Sequence, residues 1–401
     1  MVATYPQLAE PKSASWSGAA ALIAKPGGVS TGVGRYVAML DQGLRAAGVE
    51  VQRIAPIVPP LPNGVYSGSK RLGLDIRAFL LNFPIWASYP RADLYHLTSQ
   101  NLASLLCFRR PSGAVVVTVH DIIPYMLRRD RELCSYRTAA DRLFDRLAMA
   151  GLRRADRLIA DSHYSKACLV EQLGIAPERI DVVYLGIDQT RFRPQLVPAS
   201  IRARYRLPDD RRYLLYVGSE DPRKNLSTLV SGLAEVRKEA PDVALIKVGR
   251  AHFEAERQRL QLQAAQLGLH EAIHFLDDVP EDDLPLLYNL ADVCVMPSLY
   301  EGFGFPALEA LACGTAVVCS TAPSLCELVG AAARQHESRS PHELAEQIIA
   351  ALAADDQAAR AEQGRMRAAG FTWQRTVEQS RQAYQRAVDG HAQRRPARGN
   401  P

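Results

Sequence analysis

Short apolar runs recur along the chain, separated by stretches whose apolar residues fall every three or four positions. The runs are AALIA (20–24), VQRIAPI (51–57), DLYHL (93–97), AVVVTV (114–119), RLIADS (157–162), DVVYLG (181–186), YLLYVG (213–218), VALIKVG (243–249), IHFLDD (273–278), VCVMPS (293–298) and AVVCS (316–320). Several are near-continuous Val, Ile and Leu, the composition of strands buried on both faces. Helical spacing lies between them, as in Val37, Leu40 and Leu44 ahead of Gly48, and in Leu226, Leu229, Val230, Leu233 and Val236. This alternation predicts an α/β fold with parallel sheets. No internal repeat is present.

The β/α series restarts once. Residues 190–212, TRFRPQLVPASIRARYRLPDDRR, are rich in proline and charge and contain no strand pattern. Two doubly wound domains are expected, 17–195 and 205–372, with a closing helix at 373–390. Disorder is expected for 1–16 and 391–401. Ligands of such sheets bind outside the carboxyl ends of the strands, so a site between the domains is expected.

Composition narrows the class. The 401 residues are 47% hydrophobic, ordinary for a globular protein. The longest apolar stretch, IRAFLLNFPIWASY, is broken by Asn82 and Pro84, short of the ~18 residues that cross a bilayer. The opening residues lack the basic start and apolar run of a secretory signal, which predicts a cytoplasmic protein. Seven cysteines without a CxxC pair read as reduced core thiols. The net charge of +5 is mild, and the arginines of LRRD, LRRAD and DDRRY have no interleaved aromatics. They read as solvated helix faces, with weak attraction to anionic lipid or an anionic substrate as the alternative.

Four stretches carry candidate chemistry. SLYEGFGFPALEALACGTAVVCS (298–320) reads as loop, helix and strand after a strand ending at Pro297. Gly302 and Gly304 would let a ligand approach the backbone, and the helix N-terminus offers N–H groups to an anion. Pro306 suits the first helical turn. Glu301 before the loop and Glu309, expected in the first turn, would accept hydroxyls beside such an anion, as a nucleotide sugar requires. The alternative is a dipole-favoured Glu309 and a solvated Glu301. In YLLYVGSEDPRKNLSTLV, Arg223 and Lys224 precede a helix that Asn225 is expected to cap, where a diphosphate needs cations. In PGGVSTGVGRYVAML, Gly32 and Gly34 open a helix, but the dinucleotide fingerprint is incomplete, so a loop touching phosphate or acceptor is favoured over NAD binding. In VVVTVHDIIP, His120 follows a buried strand, with Asp121 beside it as a possible base. The acidic LDDVPEDD reads as a turn rather than a metal site.

These residues resemble glycosyltransferase family 4. EGFGFPALE (301–309) followed by ALACGTAVV resembles its E-x7-E signature. VGSEDPRKN resembles its diphosphate loop, and VTVHDIIP its histidine segment. ADRLIADSHYSKACLVEQLGIAPERIDVVYLGID resembles the approach to its linker, and FTWQRTVEQSRQAY its closing helix.

The resemblance implies a GT-B fold of two Rossmann-like domains facing across a cleft. The N-terminal one would take the acceptor and the C-terminal one the nucleotide sugar, with the last helix crossing back to the N-terminal domain. It implies retaining, metal-independent transfer of a hexose, without a cofactor. Arg223 and Lys224 would hold the diphosphate, and Glu309 the ribose hydroxyls. Glu301 and the amides of Gly302, Phe303, Gly304 and Phe305 would face the sugar and phosphate. His120 would contact the transferred sugar, Gly32 and Gly34 the phosphate, and Asp278, Val279 and Pro280 the base. Ser219 follows Gly218 where many members carry arginine, a role Arg223 would take over.

The EDPRKNL form resembles mannosyltransferases using GDP-mannose in polysaccharide assembly, with UDP-glucose or another UDP-sugar as the alternative donor. The expected acceptor is a glycan or lipid-linked saccharide, with peripheral contact at the inner membrane surface and no nucleic acid partner. Competing readings are a pyridoxal-phosphate phosphorylase or an epimerase on the same fold, a non-catalytic nucleotide-sugar-binding partner of a membrane-associated complex, and an NAD enzyme.

Overall fold

The structure is a computed structural model that describes residues 16–26, 31–60, 62–71, 75–136, 138–251, 254–353, 355 and 357–394. The expectations of disorder for 1–15 and 395–401, and the glycine-rich turn at 27–30, lie outside these residues.

The apolar runs form two six-stranded sheets, each in its own compact unit. Of the described residues, the first unit takes 16–130, 136–186 and 373–394. Its strands are β1 (Ala19–Ile23), β2 (Glu50–Ile54), β3 (Leu94–Leu97), β4 (Ala114–Val119), β5 (Arg157–Ala160) and β6 (Ile180–Val182). All pair in parallel, in the order β2-β1-β3-β4-β5-β6. Every residue of β4 is buried, as its unbroken AVVVTV demands. Helix α1 (Gly32–Ala46) starts at Thr31, whose hydroxyl accepts from the Gly34 N–H at 3.0 Å, and turns its Tyr36, Leu40 and Leu44 inward.

The second unit, 187–372 with 131–135, holds β7 (Arg212–Val217), β8 (Val243–Val248), β9 (Ile273–Leu276), β10 (Val293–Met296), β11 (Ala316–Ser320) and β12 (Arg334–His336). The order is β12-β11-β10-β7-β8-β9, again parallel. Its helices α2 (Leu226–Glu239), α3 (Leu284–Leu290) and α4 (Phe305–Cys313) position the residues considered below. Leu229, Leu233 and Val236 of α2 pack into the same core as Leu214, Leu245 and Val293 of the sheet. β12 was not expected. It is three residues long and mostly polar, and only its pairing with β11 makes it a strand.

Helix α5 (Trp373–Arg394) belongs to the first unit, although nearly 190 residues separate it from β6. It packs on α1, β4 and β5. Gly43 of α1 permits this approach, because a Cβ there would collide with Val377 of α5. The Tyr384 hydroxyl meets His96 Nδ1 at 2.6 Å, and its ring stands edge-on to Trp16 at 5.4 Å. Two expectations are thereby corrected. Trp16 is buried core rather than part of a disordered extension, and α5 continues past residue 390, held by Arg394 and His391. Among the described residues, no helix is long and apolar enough to cross a membrane.

Candidate functional site

In the second unit the chain runs β7, β8, β9 toward one edge, then returns to place β10 on the other side of β7. The two loops that leave β7 and β10 therefore diverge, opening a crevice at their carboxyl ends where such sheets bind ligands. Arg223, Lys224 and Glu301 sit on these loops.

They form one knot. Lys224 Nζ meets Glu301 Oε1 at 2.5 Å, and Arg223 Nη1 lies 3.6 Å from Glu301 Oε2. Arg223 Nη1 also donates to the Tyr300 carbonyl at 3.0 Å, and the Leu299 N–H donates to the Arg223 carbonyl at 2.8 Å. Ser298 donates to Glu301 Oε1 at 2.8 Å, while Ser324 holds the Glu301 carbonyl at 2.7 Å. Burial would raise the Glu301 carboxyl, but Lys224 and then Arg223 outweigh it and hold the group below the usual carboxylate range. Burial pushes the Lys224 ammonium down, against the pull of Glu301. The solvated-Glu301 alternative is thus corrected: Glu301 is buried and paired.

Asn225 differs from its expected role. It occupies the N-cap position of α2 in a left-handed conformation, φ 58°, with no side-chain cap. Its amide instead donates to the Pro297 and Ser338 carbonyls, at 3.1 and 2.6 Å, and its Oδ1 accepts from Thr228. It ties the β7 loop to the β10 loop. Asp221 caps the short turn Pro222–Lys224 through the Arg223 N–H.

Past Glu301, Gly304 has φ 107°, and a Cβ there would lie 2.6 Å from Leu325 Cδ2. This geometry holds the loop open until Phe305, so α4 starts there with Pro306 in its first turn. Glu309 then falls in the second turn, not the first as expected. It is buried, and its Oε2 accepts from the Tyr288 hydroxyl of α3 at 2.8 Å. Phe303 is buried and stacks edge-on with Phe305. Gly218 and Ser219 end β7, and the Ser219 carbonyl accepts from Tyr216 at 2.9 Å.

The loop after β9 carries Asp278, which pairs with Arg250 at 2.5 Å on the surface, half-buried Val279 and exposed Pro280. Below it Glu220, Lys247 and Arg257 form a buried charge cluster with Asp277. The acids of LDDVPEDD are largely matched with arginine: Asp277 with Arg257, Glu281 with Arg191 and Asp283 with Arg204. Among the described residues, no group of three or more His, Cys, Asp or Glu is gathered for a metal.

In the first unit, β1 and β3 are the diverging pair. Gly32 and Gly34 stand at the start of α1, and His120 at the end of β4. His120 Nδ1 meets Asp161 Oδ2 at 2.6 Å and Nε2 meets the Thr98 carbonyl at 3.0 Å. Both partners are acceptors, which the doubly protonated ring satisfies. Burial works against that charge, but Asp161 outweighs it and the histidine pKa is raised. With both nitrogens committed, the ring has no N–H left for a ligand. Asp161 was missed in the sequence, yet a signal existed. Val119 and Ala160 are register partners on β4 and β5, so the residues that follow, His120 and Asp161, emerge side by side. Asp121 is drawn inward as a turn residue, accepting from the Ile123 N–H at 3.1 Å.

Comparison with known proteins bears on both units. Residues 30–191 match the family described as Glycosyltransferase Family 4, and residues 199–367 match Glycosyl transferases group 1. Sucrose-phosphate synthase from Thermosynechococcus elongatus superposes with a TM-score of 0.71 at 24% identity, over 92% of this chain and 98% of that one. Anabaena HepE, crystallised with UDP and glucose, gives 0.67 at 20% identity, over 92% and 99%. The architecture is therefore the GT-B fold. Among curated relatives, D-inositol 3-phosphate glycosyltransferase of Geodermatophilus obscurus is 37% identical over 246 residues, 59% of this chain and 53% of that protein. The Salinispora arenicola protein of the same name is 32% identical over 58% and 55%. The chain spans a little over half the length of these relatives. Taken together, the matches show that it belongs to glycosyltransferase family 4.

Proposed function

We propose that this protein transfers a hexose from a nucleoside-diphosphate sugar, with retention of anomeric configuration and without a metal or cofactor. The Arg223–Lys224–Glu301 knot at the switch point of the second sheet carries the reading. A leaving diphosphate brings two negative charges, and Lys224 and Arg223 are cations held nearly dry by the surrounding loops. Preorganised charge in such a setting stabilises the departing group at no cost in reorganisation. The N-terminus of α4 adds N–H groups and the positive end of a helix dipole. Glu301 keeps the two cations in place until the ligand arrives. Glu309 would take the ribose hydroxyls and the Asp278–Pro280 backbone the base. The departing phosphate would accept the proton of the attacking hydroxyl on the same face of the sugar.

For the donor, the EDPRKNL form favours GDP-mannose. UDP-glucose is the second reading, because Anabaena HepE has also been solved with UDP-glucose. The acceptor is read as a glycan or lipid-linked saccharide. The name of the curated relatives adds a phosphorylated polyol, D-inositol 3-phosphate, to be tried. The protein is expected to act in the cytoplasm, at or near the membrane surface.

Lys224→Ala and Arg223→Ala should each lower turnover by at least ~10²-fold with the fold intact by circular dichroism. Unchanged rates would refute the assignment. A thermal-shift comparison of GDP-mannose with UDP-glucose identifies the donor, since ligand at 100 times its Kd adds about 2.7 kcal/mol to the folded state. Activity that survives EDTA supports the absence of a metal, and loss restored by a divalent ion removes that part of the reading.

A further inference from the structure

At the amino ends of β4, β5 and β6, opposite His120, the surface of the first unit has an open basin of about 610 Å³. That is within the range of small-ligand sites. Five arginines line it, Arg110, Arg153, Arg154, Arg179 and Arg394, against the single carboxylate of Asp156. Its lining thus has a formal excess of four positive charges. Arg153 and Arg154 come from the LRRAD stretch that the sequence suggested was a solvated helix face. Both are solvent-exposed, as that reading has it, and they share the basin with arginines from three other segments.

The aspartate is already saturated. Its side chain is 3% exposed and receives Arg110 and Arg394, both at 2.6 Å, the Val115 N–H at 2.7 Å, and His391 at 3.4 Å. The other three guanidiniums hold only backbone carbonyls. Arg153 donates to Leu173 at 3.1 Å, Arg154 to Leu106 at 3.0 Å, and Arg179 to Arg153 at 3.1 Å and to Ala155. Carbonyls satisfy N–H groups but leave the charge uncompensated. Arg179 Nε is buried without a partner. Burial and then the like charges of Arg394 and Arg110 depress the Arg179 guanidinium, only partly relieved by Asp156 and solvent-facing Glu178. The sequence after Arg394 adds Arg395 and Arg398 and no acid.

We propose that this basin binds a phosphate-bearing anion, separate from the diphosphate site of the second unit. Guanidinium forks match phosphate oxygens in pairs, and several converging on one basin add their charge at a single anion. Exposed Phe108 on the lining suits a ligand with an apolar body beside the phosphate. The anion is either a free phosphate compound or the headgroup of an anionic lipid.

The test uses the full chain carrying Lys224→Ala, which silences the proposed diphosphate site. Inorganic pyrophosphate is titrated calorimetrically, and vesicles of phosphatidylglycerol are compared with phosphatidylcholine by co-sedimentation. Binding in either arm is expected to weaken at least ten-fold in Arg153→Gln/Arg394→Gln and to recover in the Lys versions. Arg394→Gln alone, a change at a half-exposed helix end, serves if the double variant misfolds. Pyrophosphate binding identifies a free phosphate as ligand, and binding confined to phosphatidylglycerol identifies a lipid headgroup. The proposal is overturned if the Lys224→Ala chain binds neither, or if the arginine variants bind as well as their parent. Either result leaves the donor-site reading untouched.

Discussion

Glu301 is held ionised by two cations that it in turn holds in place. A carboxyl with a lower pKa folded than unfolded stabilises the fold fully above the unfolded value, near 4.5 here, and loses that contribution as pH falls through the folded one. Removing one member of a buried pair leaves the other charge uncompensated, typically about 3 kcal/mol. Glu301→Gln should therefore be about 3 kcal/mol less stable than the parent at pH 7 in urea unfolding. The gap should persist down to pH 4.5 and narrow only below it. A gap of equal size at pH 7 and pH 3 would mean that Glu301 is not charged in the fold. Arg223, Lys224 and Glu301 were legible because each lies in a loop where side-chain type alone announces chemistry. Ser298, Ser320 and Ser324 were not. Ser320 donates to the Ser298 carbonyl at 2.5 Å across from β11 to β10, and nothing local in either segment foretells that meeting.

At the scale of elements, the strand-loop-helix unit around Gly304 joins the fold to the site. Its left-handed φ and the closeness of Leu325 mean that any side chain strains the backbone and crowds the helix Pro323–Val329. Such strain costs about 1–3 kcal/mol. Gly304→Ala is expected to lower the melting temperature by roughly 2–12 °C for a unit of this size. It should also weaken nucleotide binding more than stability, because the loop it distorts carries Glu301. A melting point within 1 °C of the parent would show that the loop has another conformation available. Among the described residues, the apolar runs located eleven of the twelve strands, and those buried on both faces, such as β4 and β10, carry an unbroken hydrophobic signature. The same reasoning misjudged Glu309 by a turn. The start of α4 depends on the glycine backbone rather than on any side-chain period, and the loop continues to Phe305.

For the molecule as a whole, the two sheets were readable and the return of α5 to the first was read only through resemblance. A helix with buried Val377, Ala383, Tyr384 and Ala387 declares that it packs, not upon what. The structure supplies the partner: Tyr384 reaches His96 on β3, the histidine is 0% exposed, and burial, with some repulsion from His120, lowers its pKa to about 3. The neutral ring takes Tyr384 on Nδ1 and Thr118 on Nε2, so the tyrosine is both core volume and hydrogen-bond partner. Truncating a large buried aromatic costs about 3–5 kcal/mol, and it would leave His96 Nδ1 unpaired as well. Tyr384→Ala should therefore speed amide exchange across β1, β3, β4 and α1, although it lies nearly 290 residues from His96 in sequence. Exchange in β7, β8 and β10 should stay at the parent rate, because those strands share no core with α5. Faster exchange confined to α5 itself would mean that the closing helix covers the first sheet without stabilising it.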